Sequence, residues 1–250
     1  MAMLTTVEAL HHTLQLIEPE LGNFVPPQGA FDPAGSWTHA YRIVAVKMSR
    51  SPSPRELGGQ LTIHRYGQPN GPVLEVQQQM MTKGYASWSK GTIECGDNRL
   101  CTPRRWTVES WTCSPDKKVE AESGLKFVAE PAKGEIRFSG IRKPPLRVAA
   151  DWTLDWALLD ALQRLPQDCG DLSFDLVEDY DLLRPRQRLI STGPVTATLG
   201  GKGTELYGFC HIGTGTLPTH YWLDQQQRLL FVLHYYRVFV LQADSNKGEK

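Results

Sequence analysis

Residues 211–241 read HIGTGTLPTHYWLDQQQRLLFVLHYYRVFVL. A glycine-rich polar turn leads into two dense apolar-aromatic runs, separated by the polar stretch Asp224–Gln227. The runs, Thr219–Asp224 and Arg228–Leu241, are dense in branched apolar and aromatic residues, the pattern of a strand. Two such runs joined by a tight polar turn form a hairpin, and Asp224 can cap it by accepting turn amides. Counting outward from DQQQ places His220 opposite Phe231 or Val232, and His234 beside Leu217 or Pro218. On that register the two histidines are only diagonal neighbours.

The same period runs outward through the chain. Trp37–Met48, Gln60–Arg65, Val73–Thr82, Tyr85–Lys90 and Arg105–Thr112 read as strands, broken by turns such as GQPNG and ECGDNRLCTP. Leu172–Val177, Val195–Leu199 and Thr204–His211 continue the series. Close turns between successive strands indicate an antiparallel sheet. Two segments break the pattern. Leu4, Val7, Leu10, Leu14 and Ile17 recur at helical spacing, and Glu18-Pro19 would end that N-terminal helix. DWTLDWALLDALQRL, from Asp151 to Leu165, reads as an amphipathic helix capped by Asp151 or Thr153 and stopped by Pro166. The expected fold is mainly β: a strongly curved antiparallel sheet or half-barrel, with an N-terminal helix and one amphipathic helix over the concave face. Residues 1–35 would pack on a single β domain of residues 36–245 carrying the inserted helix 152–165, and 246–250 would form a flexible tail.

Lysine plus arginine and aspartate plus glutamate number 27 each, so the net charge is zero. No long-range attraction to a polyanion follows, and nucleic acid is not an expected partner. No run of about 18 apolar residues is present, so no transmembrane helix is expected. The N-terminal MAMLTTVEALHHTLQLIEPELGN lacks a basic segment followed by an apolar one. No signal peptide is expected, and the expected location is cytoplasmic. Cys95, Cys101, Cys113, Cys169 and Cys210 lack zinc-ligand spacing and read as reduced structural thiols. GlyGlyLysGly at 200–203 lacks the spacing of a phosphate loop, and neither GxGxxG nor GxSxG occurs. No cofactor and no metal are expected.

Three segments occur in a familiar order: WTLDWALLDALQRLP (152–166), FDLVEDYDLLRPRQRL (174–189) and LPTHYWLDQQQRLLFV (217–232). Together they resemble a family of uncharacterised bacterial β-rich proteins, and the resemblance covers mainly the C-terminal part of the chain. More distantly, the β-plus-helix pattern is similar to half-barrel carriers of lipids or lipoproteins. The resemblance implies architecture and no activity.

Candidate site chemistry is dispersed. His211 lies beside Gly213 and Gly215, which permit close backbone approach to a ligand. His211 and His220 are acid-base candidates near neutral pH, and Glu109, between Trp106 and Trp111, is the carboxylate that an apolar pocket would shift. Tyr41, Trp88, Trp111, Tyr221, Trp222 and Tyr235 supply aromatic area with polar handles and are candidate ligand contacts. Arg184, Arg186 and Arg188 alternate with acids at EDYD (178–181), which reads as a solvated, salt-bridged surface.

Two functional readings follow. The first is binding of an apolar or aromatic small molecule in the half-barrel concavity. The second is a cofactor-free lyase, isomerase or cyclase that uses a His/Glu or His/Tyr pair in that cavity. A third, structural reading has a filled core and an exposed apolar edge that would suit a homodimer.

Overall fold

The computed structural model describes residues 13–46, 58–82, 85–113 and 124–242. A short helix α1 (Glu18–Leu21) precedes eight strands: β1 (Trp37–Ala45), β2 (Gly58–Tyr66), β3 (Val73–Thr82), β4 (Tyr85–Cys95), β5 (Pro103–Cys113), β6 (Leu125–Ala132), β7 (Glu135–Ser139) and β8 (Leu146–Arg147). Then come β9 (Trp152–Leu154), helix α2 (Asp155–Arg164), β10 (Asp171–Glu178), β11 (Leu182–Leu199), β12 (Lys202–Gly213), β13 (Thr219–Leu223), β14 (Leu229–His234) and β15 (Arg237–Leu241).

All fifteen strands form one sheet in the order β8-β7-β6-β5-β4-β3-β2-β1-β15-β14-β13-β12-β11-β10-β9. Each half is a meander, and antiparallel pairing of β1 with β15 joins them, with Tyr41 facing Leu241. Among the described residues, only β9 runs parallel to its neighbour, β10. The sheet is open: β8 and β9 end it without pairing to each other. The strongly curved half-barrel expected from the strand pattern is therefore not what these strands build. Alternation and turn spacing specify neighbours along a meander, but they say nothing about whether its two edges approach.

The helices also differ from expectation. No long N-terminal helix is present among the described residues, and residues 1–12 lie outside them. Residues 13–16 are helical and break at a turn at Ile17, just before Glu18-Pro19, and Pro19 sits in the first turn of α1. The missing N–H is harmless there, because first-turn donors have no intrahelical partner. Trp152–Leu154 form β9, so α2 begins only at Asp155, with no side chain capping it at Leu154. Thr153, one expected cap, instead donates its hydroxyl to the Leu100 carbonyl at 2.7 Å. Every residue of α2 from Trp156 to Gln163 is buried, including Asp160 and Gln163. It is a core helix, and its side chains fill the face where an apolar ligand was expected.

Buried polar groups fasten α2 to the sheet. Gln163 Oε1 accepts the Leu229 N–H at 3.1 Å and lies 2.9 Å from His39 Nε2. The other ring nitrogen, Nδ1, lies 3.2 Å from the Thr38 carbonyl, so both nitrogens of His39 face acceptors. Asp160 pairs with Arg65 of β2 at 2.6 Å and with Arg164 at 2.8 Å. From the N-terminal segment, Phe24 packs on Phe231 of β14 with ring centroids 4.5 Å apart. The neighbouring strand β13 is buried at every position.

The opening hairpin forms as β13 and β14, and Asp224 Oδ1 accepts the Gln226 and Arg228 amides at 2.9 and 2.8 Å. A register shift between Trp222 and Leu223 adds a residue near the turn. His220 consequently faces Leu233, not Phe231 or Val232. His234 lies beside Thr219, whose hydroxyl is 3.0 Å from its Nδ1.

Candidate functional site

The most unusual backbone in the sheet is the β10–β11 turn. Asp181 N–H bonds to the Glu178 carbonyl at 3.2 Å, and the central residues Asp179 and Tyr180 have φ of 49° and 70°. Positive φ at both central positions defines the hairpin turn that Asn-Gly occupies cheaply. A tyrosine there costs about 1–2 kcal/mol. The surroundings hold it in place. Trp106 Nε1 donates to the Tyr180 carbonyl at 3.1 Å, and the Asp155 carboxylate accepts the Asp179 N–H at 2.9 Å. Lys143 pairs with Asp181 at 2.8 Å. Strain maintained this way is typical of functional sites.

The turn places the Tyr180 side chain against β4. Its hydroxyl and ring lie over Gly91, where a Cβ would come within 2.5 Å of the hydroxyl oxygen. Tyr180 is only 4% exposed, and its hydroxyl has no hydrogen-bond partner among the described residues. The Trp156 ring packs on Tyr180 at 6.2 Å, and its indole N–H is also unpartnered. A buried polar group left unmatched costs about 1–3 kcal/mol.

Beside Tyr180 opens a cleft of about 260 Å³. Strand register builds its floor. One cross-strand rung carries Val76, Gly91, Val108 and Phe127, and the next carries Gln78, Ser89, Ser110 and Leu125. On the same face, two residues further along, the apolar rung gives way to polar Gln78, Ser89 and Ser110, with Leu125 apolar at the end. Ser87 extends this hydroxyl surface, and Asp179, Tyr180 and Asp181 form the facing wall. Burial, and next the neighbouring Glu178 charge, raises the Asp179 carboxyl above its ordinary range. Burial, and next the Asp179 charge, holds Asp155 well above its own.

On its other side the turn presents Glu178 to a second polar cluster. Glu178 accepts the Arg184 Nε–H at 2.7 Å and the Tyr235 hydroxyl at 2.9 Å, with His234 Nε2 at 3.6 Å. His211 Nε2 lies 2.9 Å from Gln187 Oε1, which also accepts from Thr216. Gly213 makes room for this contact, since a Cβ there would meet Gln187 Oε1 at 2.2 Å. Burial pushes His211 and His234 down to about 4, so both are neutral near pH 7.

His211, His220 and Glu109 do not converge. His211 pairs with Thr219 and His220 with Cys210 on adjacent rungs, so the two histidines point to opposite faces. His220 stacks on Trp222 at 5.9 Å, has an unpartnered Nδ1, and is pushed down to about 4 by burial. Glu109 is exposed on β5 in the other half of the sheet, where the hydrogen bond from Lys126 lowers its carboxyl. The aromatic candidates also separate. Tyr41, Tyr221 and Trp222 are buried in the core. Trp88 and Trp111 stack on each other at 6.3 Å, and Trp88 also lines the cleft. Tyr235 belongs to the Glu178 cluster. Among the described residues, no three His, Cys, Asp or Glu side chains are arranged to hold a metal ion. No helix among them is long and apolar enough to cross a membrane.

No family model and no curated protein match this chain. It is similar to a solved structure described as a β-barrel-like protein of the domain of unknown function DUF1849 from Brucella abortus. The two are 8% identical, with a TM-score of 0.57 over 83% of this chain and 96% of the other. At that identity the likeness is one of fold. It spans most of this chain and is not restricted to the C-terminal part that carries the sequence resemblance.

The cleft had little sequence signal. EDYD reads as solvated charge, yet Tyr180 is buried. The best available clue was Asp-Tyr in a hairpin turn without glycine. A second was the alternation Ser87, Ser89, Gly91, which puts small residues on one face of β4.

Proposed function

We propose that this protein binds a small organic molecule in the cleft beneath the Asp179–Tyr180 turn. The observation that carries the reading is the buried, unpartnered Tyr180 hydroxyl beside a cavity floored by serines. A ligand hydroxyl or amine would satisfy it and remove the cost of leaving it unmatched. The cleft has one apolar edge, at Val108, Leu125 and Phe127, and one polar edge, at Gln78, Ser87, Ser89 and Ser110. That combination suits a ring or short chain carrying hydrogen-bonding groups along one side. A cavity of about 150 Å³ accepts benzene, so 260 Å³ has room for a substituted ring. The site differs from the half-barrel concavity expected from the sequence, which this open sheet does not form.

Saturation-transfer NMR with a set of hydroxylated and aminated aromatic fragments tests the reading. Fragments should bind the wild type. Ser89→Leu should abolish their signals while the melting temperature holds or rises, because leucine fills the cleft from its floor. Fragments that bind Ser89→Leu as they bind the wild type would refute the site.

A further inference from the structure

We infer that the molecule taken up beneath the turn carries a positively charged amine, with Asp179 as its counter-ion. This rests on the reading of the cleft as a binding site and adds the chemical class of its ligand.

The inference comes from the partners of each acid around the turn. Asp181 is paired with Lys143. Glu178 is held by Arg184 and Tyr235. The Asp155 carboxylate accepts two backbone amides, from Trp156 and Asp179. Asp179 alone remains. It lines the cleft, and among the described residues its carboxylate has no ion-pair or hydrogen-bond partner. No lysine or arginine lines the cleft to offset it. An anionic ligand would meet a carboxylate that only Arg237 and Arg184, outside the cleft lining, partly offset, whereas a cation would neutralise it.

The opposite wall fits an ammonium group as well. Such a group has three donors and no acceptor. One can go to Asp179, and the serine oxygens and the Gln78 amide oxygen are acceptors for the others. The Tyr180 hydroxyl is a further acceptor, buried and unpartnered. Phe127 and Val108 leave an apolar surface for the hydrocarbon part. The raised Asp179 carboxyl agrees with this geometry: partial desolvation and next the Glu178 charge disfavour its negative form, Arg237 and Arg184 offset this only in part, and a bound cation would favour it.

Isothermal titration of the full chain with benzylamine, benzyl alcohol and benzoate tests the inference. The three probes match in size and differ in charge. Benzylamine should bind about tenfold more tightly than benzyl alcohol, the scale of one charge-assisted hydrogen bond, and benzoate more weakly than either. Asp179→Asn should erase the advantage of the amine over benzyl alcohol. Asparagine tolerates positive φ, so the turn should survive. Benzyl alcohol or benzoate binding the wild type as tightly as benzylamine would overturn the amine assignment and leave the cleft reading standing. So would an amine advantage that persists in Asp179→Asn. If none of the probes binds, or if all bind Ser89→Leu as they bind the wild type, the cleft reading and the inference both fall.

Discussion

Gly91→Ala should destabilise this protein out of proportion to a single methyl group on a strand. The Gly91 backbone does not need glycine, since its φ is not positive. What forbids a side chain is Tyr180: the new Cβ would lie 2.5 Å from the hydroxyl oxygen, 2.7 Å from Cε1 and 2.8 Å from Cζ. Carbon atoms in contact prefer about 3.5–4.0 Å. Tyr180 cannot easily retreat, because Trp106 holds its carbonyl and Asp155 holds the preceding amide. Overpacking of this kind costs about 1–3 kcal/mol. In a Tyr180→Gly background the obstruction is gone, and alanine should gain about 0.5–1 kcal/mol over glycine in the strand. Urea denaturation of the four proteins should therefore give a coupling free energy of about 1.5–4 kcal/mol between positions 91 and 180. Tyr180→Gly itself should lose less than the removal of a buried ring usually costs, because it also relieves the turn strain and the unmatched hydroxyl. A coupling below about 0.5 kcal/mol would refute the packing of Tyr180 against β4, and with it the geometry of the cleft wall.

Stability should fall on mild acidification. His39, His211 and His220 are at most 6% exposed, and burial holds each at about 4 in the folded chain against 6.5 in the unfolded one. Between those values the unfolded state binds more protons. Stability should be complete above about pH 6.5 and should decline toward pH 4 by about 1.4 kcal/mol per pH unit for each histidine; urea midpoints that stay flat from pH 7 to pH 5 would contradict this. Asp160→Asn should cost about 3–5 kcal/mol in the same assay, because it leaves the buried Arg65 guanidinium without its counter-charge, and a loss under 1 kcal/mol would show that the pair is not buried as described. Asp224→Ala should cost about 1–2 kcal/mol by removing the acceptor of two turn amides, whereas Asp224→Asn, which keeps an acceptor oxygen, should cost markedly less.

The strands were legible because their alternation and turn residues are local signals. Asp224 was readable as a turn cap for the same reason. The His220 and His234 register was not, because one extra residue on the β14 side, Leu230, shifts every pair beyond it. The open sheet was missed because edge pairing is a long-range property that no single strand encodes. The cleft was missed for both reasons. Gln78, Ser89 and Ser110 become neighbours only through the register of three strands. Tyr180 occupies a turn position where sequence rules expect glycine. Trp88 and Trp111 were selected for their rings, yet cross-strand pairing turns them toward each other.

The central claim is that a small molecule binds between the serine-lined rung and the Asp179–Tyr180 turn. Its most direct test is a protein-observed NMR titration of isotope-labelled full chain with benzylamine. The account predicts saturable shifts concentrated at Gln78, Ser87, Ser89, Ser110 and Tyr180. Shifts centred on the β13–β14 hairpin, or an unchanged spectrum at millimolar probe, would contradict it.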